Sequence, residues 1–379
     1  MNVHVFNLNN KVNIKRLSQK YSTVFSEDLL KKFTYLITLK ANIKFISATY
    51  SDQLFKTNNE VFIFCDGYNE AISIMEELKL DNYLIYNYLF NYFKKCNNLS
   101  ILNNTLRLLN NNFEDFKILG ILNITPDSFS DGGSFFDPES AFIQAELMIK
   151  YGVDIIDIGG ESSRPGTYEI NEEEEINRTI PIINKILSEY PDTIISIDTK
   201  KSKVAECAIR NGVKIVNDIS AFNYDVKMLE VLNTYKPVYV LMHMKGIPLN
   251  MQINPVYDDP VLEIVQFFEE KISILKNNGI NNIILDPGIG FGKRLEDNFE
   301  ILNRLDEFLI LGYPILIGLS RKQFLGITTG ADVKKRDIET IIMETLAVNN
   351  GASFIRTHNY ENCYKLKQLT NNYKHYSQW

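Results

Sequence analysis

Residues 116–160 read FKILGILNITPDSFSDGGSFFDPESAFIQAELMIKYGVDIIDIGG. A short, β-branched apolar run breaks off at a polar, glycine-bearing loop. The chain then enters a segment with helical spacing, closes it at Gly152, and returns to a second apolar run. That alternation is the mark of parallel strands joined by helical crossovers. The same rhythm continues through TIISIDT (193–199), VKIVNDIS (213–220), PVYVLMHM (237–244), NIILDPGIG (282–290), PILIGLS (314–320) and SFIRTH (353–358). Between the runs lie amphipathic segments such as TKKSKVAECAIRNG (199–212) and DPVLEIVQFFEEKISILKNNG (259–279), again with Gly where a helix would end.

Eight such units match the size of a (β/α)8 TIM barrel, roughly 250 residues. A doubly wound open sheet has the same periodicity, so the strand ends decide between the two. Each run stops at a polar group: Asn123, Glu161 to Arg164, Asp198, Asn217, His243, Asp286, Ser320 to Lys322, and Arg356 with His358. In a closed barrel all of these converge on one mouth, whereas in an open sheet only strands near the switch point share a ligand. The expected architecture is therefore α/β, with a TIM barrel over 113–379. Residues 1–112 lack the rhythm. They carry strand candidates in VHVFNL, YLITLKANIKF and EVFIFCDG and a helical stretch from Asn69 to Lys95, and are expected to form a small α/β accessory domain.

Composition narrows the function. With 45% hydrophobic and 23% charged residues in 379, the chain is globular. Forty basic against forty-seven acidic residues give a net charge of −7, which disfavours a nucleic-acid partner, so any bound anion needs a local cluster. The four cysteines, Cys65, Cys96, Cys207 and Cys363, form no CxxC pair and suggest neither zinc nor a disulfide framework. The opening residues do not read as a signal peptide, and no apolar stretch is long enough to span a membrane. A cytoplasmic protein with no membrane partner is expected.

Two groupings of strand ends suggest chemistry. Asp198 and Asp286 could bind a metal, share a proton, or accept hydrogen bonds from an amino-substituted heterocycle. Asn217 and Lys322 beside them favour the heterocycle, although Asp198 could instead cap the helix after DTKKS. Arg164, Arg356 and His358, with Ser162 and Ser163, form a cationic set suited to a diphosphate.

The ordered set GILNITPDSFSDGG (120–133), GGESSRPG (159–166), DTKKSKV (198–204), VNDIS (216–220), LMHMKG (241–246), DPGIGFGK (286–293), GLSRKQFLG (318–326) and RTH (356–358) closely resembles the dihydropteroate synthase family. The resemblance implies condensation of 6-hydroxymethyl-7,8-dihydropterin diphosphate with 4-aminobenzoate, the step inhibited by sulfonamides in folate synthesis. It implies pterin binding by Asp198, Asn217, Asp286 and Lys322, and diphosphate binding by Asn123, Ser163, Arg164, Arg356 and His358. It places 4-aminobenzoate among Phe129, Pro165, Phe291, Ser320 and Lys322. It further implies Mg²⁺ held at Asn123, with help from Asp131, and a catalytic set of Arg164, Lys322, Arg356 and His358. Members are often homodimers. A methyltetrahydrofolate-type methyltransferase would lack the TPDSFSDGG loop and the SRK and RTH segments. A non-catalytic relative would be expected to have lost Asn123, Arg164, Lys322 or His358. Two positions depart from the family pattern: Ser163 stands where Thr is usual, and Asn359 where Asp follows RTH. The second removes a charge that could orient His358 or Arg356.

Overall fold

The computed structural model describes residues 2–7, 35–40, 54–56, 61–65, 116–125, 138–162, 169–246, 251 and 255–376. Two compact units divide the chain, Met1–Leu99 and Ser100–Trp379. In the first, strands β1 (Asn2–Asn7), β2 (Tyr35–Lys40), β3 (Leu54–Lys56) and β4 (Val61–Cys65) form an antiparallel sheet in the order β1-β2-β4-β3. Three of these strands coincide with the apolar runs, and β3 is too short for its periodicity to show. The expected helix over 69–95 lies outside the described residues.

The second unit alternates β5 (Lys117–Asn123), α1 (Pro138–Lys150), β6 (Ile155–Gly159), α2 (Glu172–Glu189), β7 (Ile194–Asp198), α3 (Ser202–Arg210), β8 (Ile215–Asp218), α4 (Met228–Tyr235) and β9 (Val238–Met242). It continues with α5 (Pro260–Asn277), β10 (Ile283–Asp286), α6 (Leu295–Asn303), β11 (Leu316–Gly318), α7 (Gln323–Thr329), α8 (Asp337–Asn349), β12 (Phe354–Thr357) and α9 (Tyr360–Tyr376). The eight strands are parallel, in the order β10-β9-β8-β7-β6-β5-β12-β11. A bridge between Leu285 and Ile315 joins the two ends of that order, so the sheet closes on itself. The open doubly wound alternative is thereby excluded.

Local chemistry accounts for the helix limits. Asp259 caps α5, its Oδ1 accepting from the backbone N of Val261 and Leu262, and Pro260 follows at the first turn, where its missing N–H costs nothing. Gly152 and Gly212 sit just beyond α1 and α3 at φ +78° and +100°, values that side-chain-bearing residues adopt with strain.

Strand residues alternate between the barrel interior and the helical layer, so each inward row can be read two residues at a time. At the lower end the interior is apolar: Leu119, Ile155, Ile215, Val238, Val240, Ile284, Leu316 and Phe354 form one buried cluster. Two residues further along the strands the row turns polar, with Asp157, Ser196, Asn217, Asp286 and Arg356. Outside the barrel, a much larger cluster including Ile158, Ile183, Ile197, Leu241, Phe268 and Ile317 binds strands to helices.

Candidate active site

Arg356, on β12, is the hub of the barrel mouth. Its Nε donates to Asp157 Oδ2 and its Nη2 to Asp198 Oδ2, both at 2.6 Å, so two neighbouring strands are tied to one guanidinium. Gly318, on the adjoining strand, has no side chain to crowd it, and a Cβ there would lie 3.7 Å from that of Arg356. Asn217 Nδ2 donates to the same Asp157 oxygen at 3.1 Å. Asp286 Oδ1 accepts from the backbone N of Gly288 at 2.7 Å. Lys322 Nζ donates to the carbonyl of Ile289 at 2.8 Å and stands 4.2 Å from the centre of the Phe291 ring, a cation–π distance.

Burial sets the charge states of this cluster. It pushes the Asp198 carboxyl up to about 7, with Arg356 opposing and Asp157 reinforcing the shift. It also raises Asp286, against the pull of the Gly288 N–H and of Lys322. Burial lowers the Lys322 ammonium to about 8, partly offset by Asp286. Arg356 suffers the same desolvation, but Asp157 and Asp198 outweigh it and hold the guanidinium charged.

The loops after β9 and β10 are pressed together to shape this floor. A Cβ on Gly288 would come within 1.9 Å of the His243 carbonyl oxygen, and one on Gly292 within 2.1 Å of that of Lys245. Lys293 fastens the pair, with Nζ 3.0 Å from His243 Nδ1 and donating to the Phe291 carbonyl at 3.0 Å. On the far side, Arg321 adopts φ +56°, a strained value for a side-chain-bearing residue, between Ser320 and Lys322. Ser320 Oγ accepts from the His358 backbone N at 3.1 Å and lies 3.0 Å from its Nδ1, so β11 and β12 position each other's end groups.

Asn123, Asp198, Asn217, Asp286, Phe291, Ser320, Lys322, Arg356 and His358 all stand at strand ends or in the loops just beyond them, as expected. Phe129, Asp131, Ser163, Arg164 and Pro165 lie outside the described residues. Asp198 does not cap α3: Lys201 occupies the cap position, and the Asp198 carboxylate is engaged by Arg356 instead. Asn359 does not leave its neighbours unoriented, because Ser320 holds His358 and the two aspartates hold Arg356; its own Oδ1 accepts from the N of Asn362, in the first turn of α9. Two residues were missed. Asp157 carries the signal of a carboxylate in the middle of the apolar run IIDIG, and Lys293 that of a lysine closing a glycine-rich loop.

An eight-stranded parallel barrel whose mouth carries carboxylates, an amide, a lysine and a clamped arginine defines a class: a barrel enzyme built to read the polar edge of a flat heterocycle. A sequence profile described as "Pterin binding enzyme" matches residues 119–358. The Clostridium beijerinckii dihydropteroate synthase is 44% identical over 244 residues, covering 64% of this chain and 88% of that protein. Among solved structures, the Yersinia pestis dihydropteroate synthase in a sulfonamide drug complex superimposes with a TM-score of 0.66 at 35% identity, covering 70% of this chain and 96% of that one. The Xanthomonas albilineans dihydropteroate synthase in complex with 7,8-dihydropteroate gives 0.63 at 32% identity, covering 70% and 95%. The chain belongs to the dihydropteroate synthase family of pterin-binding enzymes.

Proposed function

We propose that this barrel mouth joins 6-hydroxymethyl-7,8-dihydropterin diphosphate to 4-aminobenzoate, releasing diphosphate and forming 7,8-dihydropteroate for folate synthesis. The observation that carries this reading is the convergence of Asp198, Asn217, Asp286 and Lys322 around Arg356. Together they offer acceptors and donors along one edge, the pattern a 2-amino-4-oxo pterin requires. A wrong ring would leave buried polar groups unpaired at about 1–3 kcal/mol each, which supplies the selectivity.

In the reaction the bond between the pterin methylene carbon and the diphosphate oxygen breaks, and its electron pair leaves with the diphosphate. The 4-aminobenzoate nitrogen then donates its lone pair to that carbon and loses a proton. Arg356 and His358 are assigned to the negative charge that grows on the leaving group, with Ser163 and Arg164 given the same role by the family pattern. A preorganised guanidinium acts without reorganising during the reaction. Lys322 and Ser320, flanking the strained Arg321, are assigned to the aminobenzoate side together with Phe291, Phe129 and Pro165. Its flat ring requires apolar contacts and its carboxylate requires donors.

Magnesium suits the donors near Asn123. A Cβ on Gly159 would lie 3.5 Å from Asn123 Oδ1, so the glycine leaves that hard oxygen uncrowded beside β6. Among the described residues no group of three or more His, Cys, Asp or Glu forms a protein-only cage. An ion shared with substrate oxygens and water fits this donor set, with Asp131 the further candidate. Bound there, magnesium would neutralise charge on the departing diphosphate.

A cytoplasmic location and a homodimer belong to the same proposal. Among the described residues no helix is long and apolar enough to cross a membrane. The exposed stripe Ile338, Ile342 and Leu346 on α8 offers an apolar face to a second copy.

The test is direct. Purified full-length protein, supplied with the dihydropterin diphosphate, 4-aminobenzoate and Mg²⁺, is expected to release diphosphate and dihydropteroate in equal amounts. Folded protein that forms neither product would refute the proposal.

A further inference from the structure

One carboxylate in the mouth has no substrate role above. Asp157 lies within β6, two residues before the strand ends, and is fully buried at 0% exposure. Its Oδ2 accepts from Arg356 Nε at 2.6 Å and from Asn217 Nδ2 at 3.1 Å, while its Oδ1 is buried without a hydrogen-bond partner. An ionised carboxylate kept in such a place is costly unless its charge is paired, and the guanidinium pairs it.

The consequence falls on Asn217, itself 3% exposed. A side-chain amide has a donor end and an acceptor end of nearly equal shape, and half a turn about its last torsion exchanges them. Facing a carboxylate, which accepts but does not donate, only the NH₂ end gains a bond. The carbonyl end is then directed away from Asp157, and among the described residues it has no partner of its own. Arg356 is held by the same oxygen along its Nε edge and by Asp198 through Nη2, which fixes the plane of the guanidinium.

We infer that Asp157 is a positioning residue that tunes heterocycle specificity: it locks the Asn217 amide in one of its two orientations, with the carbonyl turned from Asp157, so that this corner of the pocket offers a fixed acceptor to a donor on the heterocycle's edge. The inference rests on the pterin reading of the mouth.

Two probes with different hydrogen-bonding edges are 2-amino-4-oxopteridine, with an N–H at ring position 3 and a carbonyl at position 4, and 2,4-diaminopteridine, with a lone pair and an amino group in their place. Their dissociation constants are measured by fluorescence on the full chain. The unmutated protein is expected to prefer the oxo compound. Asp157→Asn, whose own amide can satisfy Asn217 in either orientation, is expected to reduce that preference about tenfold, the size of one mismatched buried hydrogen bond. In an Asn217→Ala background the same substitution is expected to leave the preference unaltered. Equal weakening of both probes by Asp157→Asn, with the preference intact, would overturn the inference and leave the pterin reading standing. Failure of the unmutated protein to bind either probe would sink the pterin reading. Should Asp157→Asn not fold, the unmutated protein still decides the role of Asp157. In protein carrying ¹⁵N-asparagine, the Asn217 side-chain protons are expected to exchange slowly with solvent, and fast exchange would overturn the inference.

Discussion

The lower and upper halves of the barrel interior are built on the same strands and differ by two-residue steps. Ile155 gives way to Asp157 on β6, Ile215 to Asn217 on β8, Ile284 to Asp286 on β10, and Phe354 to Arg356 on β12. The lower row is an apolar plug buried from solvent. The upper row is polar and less enclosed, the Arg356 side chain being 22% exposed, and it survives there because Arg356 pairs with Asp157 and Asp198 while Asp286 accepts from the Gly288 N–H. The contrast teaches that stability and chemistry in this protein are separated by about one strand repeat, 6–7 Å, along each strand.

The most severe way to break that separation is Arg356→Ala. It leaves Asp157 and Asp198 buried without their cation. Stability is expected to fall by about 3–5 kcal/mol in denaturant unfolding, because an uncompensated buried charge remains. Turnover should fall by about 10²–10³ in kcat/KM, because an electrostatic clamp is lost. Unchanged kinetics would remove Arg356 from the site.

Phe354→Ala, two residues below, should cost a similar 3–5 kcal/mol of stability by opening a cavity in the plug. The protein that remains folded should keep kcat/KM within about threefold. A loss of turnover as large as that of Arg356→Ala would show that the two rows are energetically coupled.

The gentlest probe is the pH profile. Lys322 is lowered by burial to about 8, so its ammonium is protonated below that pH and loses its charge as pH rises through it. If the charge is needed, kcat/KM, which reports groups of the free enzyme, should decline above about pH 8. In Lys322→Arg the guanidinium stays charged, so whatever rate it retains should not decline until well beyond that pH. Matching profiles for the two proteins would assign the upper limb to another group.

Most of this layout was legible because it is local. Apolar runs, glycine at helix ends and a polar residue where each run stops are written in consecutive letters, and barrel closure carries those ends to one place. What was not legible is pairing across long separations. Arg356 reads as a free cation awaiting an anion, yet it is bound to carboxylates 199 and 158 residues away in sequence. Asp157 escaped notice for the opposite reason: it stands inside its run, and attention to strand ends passes over a charge placed one inward step earlier. Lys293 was visible in DPGIGFGK, but its task of holding two loops together depends on a carbonyl and an imidazole, and the carbonyl and imidazole of His243 lie 50 residues upstream.

The hoop of strands is unevenly fastened. Each other neighbouring pair shares at least three residues of register, whereas β10 and β11 meet at the single bridge of Leu285 and Ile315. Just above this seam Lys322, from the β11 side, reaches across to the carbonyl of Ile289, from the β10 side. A ligand held by both Asp286 and Lys322 therefore spans the barrel's thinnest joint, and its bound ring becomes, in mechanical terms, the missing stave that tightens the cask.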